Sequence, residues 1–244
     1  MDNNILKLKQ IIDKSTNIVV FTGAGISVPS GIPDFRSANG IYNQKSGFSY
    51  SPEEIISHSF FWAHPEEFYQ FYFDKMVYPD AKPNKAHLYF AKLGKKKMVK
   101  IVTQNIDGLD FDAGSKIVYE IHGSIKRNHC TKCNKFYALK DLNKKGVPYC
   151  DCGGIIKPDV VLYEEGLDEY MITSSIRAIE AADAVIVIGT SLQVYPAASF
   201  VRYYPGSNLV LINKSKTPYD RYANLVINDD IINVIEELEK LDEH

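Results

Sequence analysis

Several features that would decide a function on their own are missing from this 244-residue sequence. No apolar stretch approaches the roughly 18 residues of a membrane-spanning helix, and the opening "MDNNILKLKQ" lacks the apolar core of a signal peptide. A cytoplasmic protein is therefore expected. Charge of either sign is nearly balanced, with a formal net charge of -2 and a pI near 6.3. That excludes a global attraction to polyanions, so no nucleic acid and no membrane is expected among the partners. The one basic run, Gly94-Lys95-Lys96-Lys97, reads as a solvated helix end. There is no internal repeat and no low-complexity segment. Cysteine is scarce, and its four copies, Cys130, Cys133, Cys150 and Cys152, crowd into one short stretch. Without a secretion signal, such a cluster points to a metal rather than to disulfides.

What is present is an alternation of short β-branched runs with helical patterns. The runs "NIVVFT", "MVKIVT", "KIVYEI", "DVVLY", "AVIVIG", "NLVLIN" and "NLVIN" are continuous and apolar, as strands of a parallel sheet covered on both faces should be. Helices are expected at 4–14, about 167–182, about 196–204 and 230–241. The fold class is thus α/β, a doubly wound parallel (Rossmann-like) sheet. Two stretches break the alternation. Residues 37–96 carry only helical signals, including the capping box Ser51-Pro52-Glu53-Glu54, and 124–158 hold every cysteine. The expected division is a Rossmann-like domain of 1–36, 97–123 and 159–244, an inserted helical module of 37–96 and a small metal module of 124–158.

Ligands of open parallel sheets collect beyond the carboxyl ends of the strands. Here those ends carry Gly23-Ala24-Gly25, Gln104-Asn105-Ile106-Asp107-Gly108, His122-Gly123, Gly189-Thr190-Ser191 and Asn213-Lys214. Their convergence points to a nucleotide: glycines let backbone N–H groups approach phosphate, and Thr190 and Ser191 can donate to phosphate or ribose. Two elements of a dehydrogenase fingerprint are absent. Val28 stands too large for the third glycine, and "ANGIYNQKSG" supplies no acid about 20 residues on, which counts against ordinary hydride transfer. Asn213 becomes the candidate for ribose. His122 is the histidine placed for chemistry, since an imidazole can act as a base near neutral pH; His58, His64 and His87 fall in helical segments, His129 abuts the metal module and His244 is terminal. Asn105 to Gly108 reads equally as a site or as a plain turn. The cysteines follow C-x2-C, 16 residues, then C-x-C. Four thiolates close a zinc shell and mark it as structural rather than catalytic, although the second pair is one residue tighter than usual.

Taken in order, "GAGISVPSGIPDFRS", "TQNIDGLD", "IHGS", the paired cysteines, "KPDVVLYEE", "GTSLQVYPA" and "LINK" resemble the sirtuins, NAD-dependent protein deacylases, from about residue 18 to 230. The resemblance implies NAD as co-substrate and one structural zinc. It implies that Ala24, Gly25, Thr190 and Ser191 hold phosphates, that Arg36, Gln104 and Asn213 bind phosphate and ribose groups, and that Val28, Asp34, Gly189 and Asp230 belong to the same cofactor site. Phe35 would screen the reacting ribose carbon, Ile106 and Asp107 would hold nicotinamide, Asn105 would order the ribose region and His122 would be the general base. The implied reaction is attack of an acyl-lysine carbonyl oxygen on the ribose carbon, loss of nicotinamide, and His122-assisted passage through a bicyclic intermediate to free lysine and O-acyl-ADP-ribose. An acyl-lysine protein or peptide would lie extended against Val160, Val161 and Tyr163. A monomer is expected. Mono-ADP-ribosyl transfer and a non-catalytic NAD-sensing module are the alternatives; His122, Asn105 and Asp107 together favour deacylation. The chain departs from the family pattern at Asp110, commonly His, at Val28, at the tight second cysteine pair and at Tyr163-Glu164-Glu165, usually Phe-Gly-Glu. Desuccinylating and demalonylating relatives carry a Tyr-x-x-Arg pair, whereas "FYQFYFDKMV" offers Tyr72 and Lys75, the latter expected to face solvent. A neutral acyl group is therefore expected.

Overall fold

The computed structural model describes residues 2–43 and 49–242; His244 and the "QKSG" end of "ANGIYNQKSG" lie outside the described residues. Six strands form a parallel sheet: β1 (Asn17–Thr22), β2 (Met98–Thr103), β3 (Val118–Glu120), β7 (Ala184–Ile188), β8 (Leu209–Ile212) and β9 (Leu225–Ile227), in the order β3-β2-β1-β7-β8-β9. The chain reverses its direction of winding between β1 and β7, so the switch point lies where Gly23 and Gly189 follow those strands.

Alternate residues of each strand point to opposite faces. Ile18, Val20, Ile101, Ile186 and Val210 meet α1 (Asn3–Lys14), α5 (Lys85–Leu93) and α8 (Ile231–Asp242) on one face. Val19, Phe21, Val102, Val187 and Leu211 meet α7 (Glu169–Glu180) and a 3₁₀ helix, Ala197–Tyr203, on the other. The expected helix at 196–204 is thus of the tighter kind. Lys97 is not merely solvated: its ammonium donates to the carbonyls of Ile12, Asp13 and Ser15, satisfying orphan groups at the end of α1.

One expected strand belongs elsewhere. The "DVVLY" run contributes to β6 (Ile156–Val160), which pairs antiparallel with β4 (Gly123–Cys130) beside β5 (Phe136–Ala138) in a separate three-stranded sheet. Burial along β6 alternates, and Pro158, which has no N–H to donate, sits on this edge strand. Helices α2 (Pro52–Ile55), α3 (His58–Ala63), α4 (Pro65–Lys75) and the small sheet share one aromatic core of Phe60, Phe61, Phe68, Tyr69 and Tyr72 with Ile125, Val160 and Leu162. Within 37–96, α5 packs instead on the large sheet through Ala86, Tyr89 and Phe90. A single turn, α6 (Leu109–Asp112), follows β2.

Candidate active site

A cleft of about 1440 Å³ runs between the large sheet and the aromatic lobe, and every residue assigned above to cofactor, catalysis or peptide lines it. Its floor is the switch point. An added Cβ on Gly25 would stand 2.6 Å from the Gly189 Cα, so the two loops touch only because both lack side chains. The Gly25 N–H is itself donated to the Gly189 carbonyl at 2.8 Å, which fastens the two loops to each other. Thr190 is tied from both sides. Its hydroxyl oxygen accepts from Gln104 Nε2 at 3.0 Å, and its backbone exchanges two hydrogen bonds with the Asn213 side chain. Both ends of the Asn213 amide thus hold this loop, with the residue lining the cleft. Asp230 likewise has local partners: it caps α8 through the Ile232 N–H and pairs with Lys214 at 2.8 Å.

The end of β2 supplies the chemistry. Asp107 accepts from the Ser27 hydroxyl at 2.7 Å and from the Leu109 N–H at 2.9 Å. Asn105 is buried and donates to the Gly23 carbonyl and to Ser27 Oγ. Ser27, which sequence reasoning passed over, therefore joins both functional side chains; its position inside "GAGIS" was the available signal. His122 follows β3, and its Nδ1 lies 2.9 Å from the Gln104 carbonyl. A carbonyl can only accept, so Nδ1 carries the proton and Nε2 is the basic nitrogen. Burial holds this imidazole below its usual range, partly opposed by the Gln104 carbonyl, which keeps it neutral and ready to accept a proton. Close by, Asp110 is buried in α6, and its carboxyl is pushed up to about 7 first by that burial and then by Asp107 and Glu120. Burial thus weakens the tendency of this acid to ionise.

The loop over the floor is organised by Asp34, whose carboxylate accepts the N–H groups of Arg36 and Ser37 at 3.0 and 2.8 Å. Asp34 shapes the loop that carries Phe35 and Arg36, and Val28 is exposed along the same wall. On the peptide side, the N–H groups of Val161, Leu162 and Tyr163 are already donated to His122, Glu165 and Ile56. Glu164 adopts φ 74° and its carboxylate accepts the Ser59 N–H and hydroxyl. Lys75 does not face solvent: it lines the cleft, its side chain 22% exposed, with its ammonium 3.0 Å from Asp74. Tyr72 is buried in the aromatic core, and among the described residues its hydroxyl has no hydrogen-bond partner.

The four cysteine sulfurs lie within 4.8 Å of one another, with Cys130–Cys152 at 3.4 Å and Cys133–Cys150 at 3.6 Å. Tetrahedral zinc at about 2.3 Å from each sulfur spaces the ligands at roughly 3.8 Å, so the donor set and its size fit that ion. The tight C-x-C is accommodated by Gly153 at φ 75° and by Gly154, where a Cβ would come within 2.5 Å of Cys130 Sγ. His129 belongs to a different pairing, 2.7 Å from Asp159.

Comparison with known proteins agrees with this geometry. Residues 23–196 match the model of the Sir2 family. The chain is 58% identical over 239 residues to an NAD-dependent protein deacetylase of Clostridium perfringens, covering 96% of this chain and 98% of that one, and 45% identical over 240 residues to an NAD-dependent protein deacetylase of Staphylococcus aureus, covering 98% and 99%. A solved structure of Sir2 with a p53 peptide and NAD+ superposes with a TM-score of 0.83 at 37% identity, covering 100% of this chain and 98% of that one. Another, with deacetylated p53 peptide and 3′-O-acetyl ADP ribose, gives 0.86 at 38% identity, covering 98% and 97%. A doubly wound sheet, a glycine-lined switch point, a neutral histidine at its edge and a four-cysteine module are thus found together in one chain, and this chain belongs to the Sir2 family.

Proposed function

We infer that the protein is an NAD-dependent protein-lysine deacetylase that releases free lysine, nicotinamide and O-acetyl-ADP-ribose. The observation that carries this reading is His122, held neutral with its protonated nitrogen on the Gln104 carbonyl, in one cleft with Asn105 and Asp107. NAD supplies an activated ribose carbon whose leaving group is nicotinamide. Around it, Thr190 and Ser191 donate to phosphates, Asp107 accepts the carboxamide N–H, Phe35 covers the ribose carbon and excludes water, and His122 Nε2 takes a proton from a ribose hydroxyl. Asn213 and Gln104 act by holding Thr190. One zinc per chain braces the cysteine module; with four thiolate ligands it has no open position for chemistry.

The acyl-lysine peptide runs along Val160–Tyr163. Because the N–H groups there are taken, the segment receives the peptide through the Val161 carbonyl and apolar contact, a reduced form of strand addition. With four thiols kept as one metal-binding set, a reducing cytoplasm is the compartment that suits the chain. Among the described residues, no helix is long and apolar enough to cross a membrane. The deciding experiment measures nicotinamide release with and without an acetyl-lysine peptide. Release that depends on the peptide and matches the lysine formed supports the reading; release independent of the peptide, with no free lysine, overturns it.

A further inference from the structure

At the mouth of the cleft, the hydroxyls of Tyr42 and Tyr163 lie 3.1 Å apart. These two residues come from different parts of the fold. Tyr42 ends the cofactor loop, where Ile41 and Tyr42 return alongside Asp34 and Phe35 through N–H donation to their carbonyls at 2.8 and 2.9 Å. Its ring meets that of Phe35 in an edge contact with centroids 5.5 Å apart, and the Arg36 guanidinium sits over it at 5.4 Å. Tyr42 thus touches both side chains through which that loop meets the cofactor. Tyr163 belongs to the opposite wall and is fixed there: its N–H goes to Ile56, its carbonyl accepts from His58, and the neighbouring Glu164 is anchored on Ser59.

We propose that Tyr42 and Tyr163 form a crossbar that ties the cofactor loop to the substrate wall and holds Phe35 and Arg36 in their working positions. This rests on the deacetylase reading of the cleft. The bar exists because residue 163 carries a hydroxyl. Phenylalanine there would keep the ring and lose the tie, so Tyr163 and Tyr42 are positioning residues that act on the cofactor through Phe35 and Arg36. Burial and the neighbouring Tyr163 both hold the Tyr42 hydroxyl above its ordinary range, and either hydroxyl of the pair can be the donor.

The test compares wild type, Tyr42→Phe, Tyr163→Phe and the double variant by initial rates at varied NAD and saturating acetyl-lysine peptide. Loss of one neutral hydrogen bond that orders a loop should raise KM for NAD by about threefold to tenfold in each single variant, with any fall in kcat smaller than the rise in KM. Since the variants remove the same bond, the double should be no worse than the poorer single. Multiplied effects in the double, or a KM for NAD unchanged in both singles, overturns the proposal. Should one single variant be unstable, the other approaches the bond from the opposite wall and must show the same KM shift. Wild-type protein that forms no free lysine would refute the deacetylase reading instead, which keeps the two failures apart.

Discussion

Ser27→Ala removes one hydroxyl that serves two functional side chains. Ser27 is 1% exposed; it donates to Asp107 at 2.7 Å and accepts from Asn105 Nδ2 at 3.3 Å. A hydrogen bond to a charged group contributes about 1.5–3 kcal/mol, the longer neutral one less. Asp107 retains the Leu109 N–H and Asn105 retains the Gly23 carbonyl, so both side chains stay in the cleft but rotate more freely. The expected net loss is therefore in the lower part of that range, about 1.5–2.3 kcal/mol, or roughly tenfold to fiftyfold in kcat/KM for NAD. Because Asp107 is assigned to the nicotinamide carboxamide, inhibition by added nicotinamide should weaken in parallel. The assay is steady-state nicotinamide release at saturating acetyl-lysine peptide, repeated across a nicotinamide titration, with thermal unfolding as a control on the fold. A Ser27→Ala enzyme within about twofold of wild type in both measurements would refute the argument that this hydroxyl orients the site.

His122→Ala should lower deacetylation by about 10²–10⁴-fold while NAD still binds, checked by rate and by calorimetric titration; because burial lowers the His122 pKa below its ordinary 6.5, the neutral base persists as pH falls and the acid limb of kcat/KM should lie below pH 6.5. Purified protein should carry about one zinc per chain, and Cys130→Ser should lower metal content, thermal midpoint and activity together. Glu164→Ala keeps a left-handed backbone, costing about 1 kcal/mol, and loses the hydrogen bonds to Ser59 at the start of α3, worth about another 1 kcal/mol; it should be less stable in urea titration than Glu164→Gly, which loses the same bonds but relieves the backbone. With Tyr72 inside the core and Lys75 paired to Asp74, an acetyl-lysine peptide should be processed roughly tenfold more efficiently than the matched succinyl-lysine peptide, about 1.4 kcal/mol of discrimination; equal efficiencies would show that Lys75 leaves Asp74 to meet the carboxylate.

The main sheet was legible because strands covered on both faces must be apolar throughout, and "NIVVF" or "AVIVI" admit few other readings. The "DVVLY" run misleads for the same reason: Val160 and Leu162 are apolar because they face the aromatic lobe, a contact that sequence periodicity does not express. The strand-end residues that line the cleft were legible too, since the topology of a doubly wound sheet names the edge before any contact is known. Their roles were less so. An amide at a strand end suits a ribose hydroxyl, which is the role expected of Asn213, yet the same amide matches the backbone of Thr190, 23 residues away in sequence. Ser27, Tyr42 and the placement of Lys75 depend on pairings between loops, which only the fold brings together.

The strand β4 starts directly after His122 and ends at Cys130, so the proposed base and the first metal ligand flank the two ends of one eight-residue strand, whose pairing with β6 shifts register between Ser124 and Asn128. Its far end is also where β6 is clamped, through Cys130 against Ile156 and Asn128 against Pro158, with Val160 pairing at the near end beside Gly123. The metal module is therefore joined through both strands to the segment proposed to receive the peptide. Slackening it by a chelator should first loosen the grip on the acyl-lysine chain, raising KM for peptide, while the glycine-floored half of the cleft, which hangs from the large sheet, continues to bind the dinucleotide.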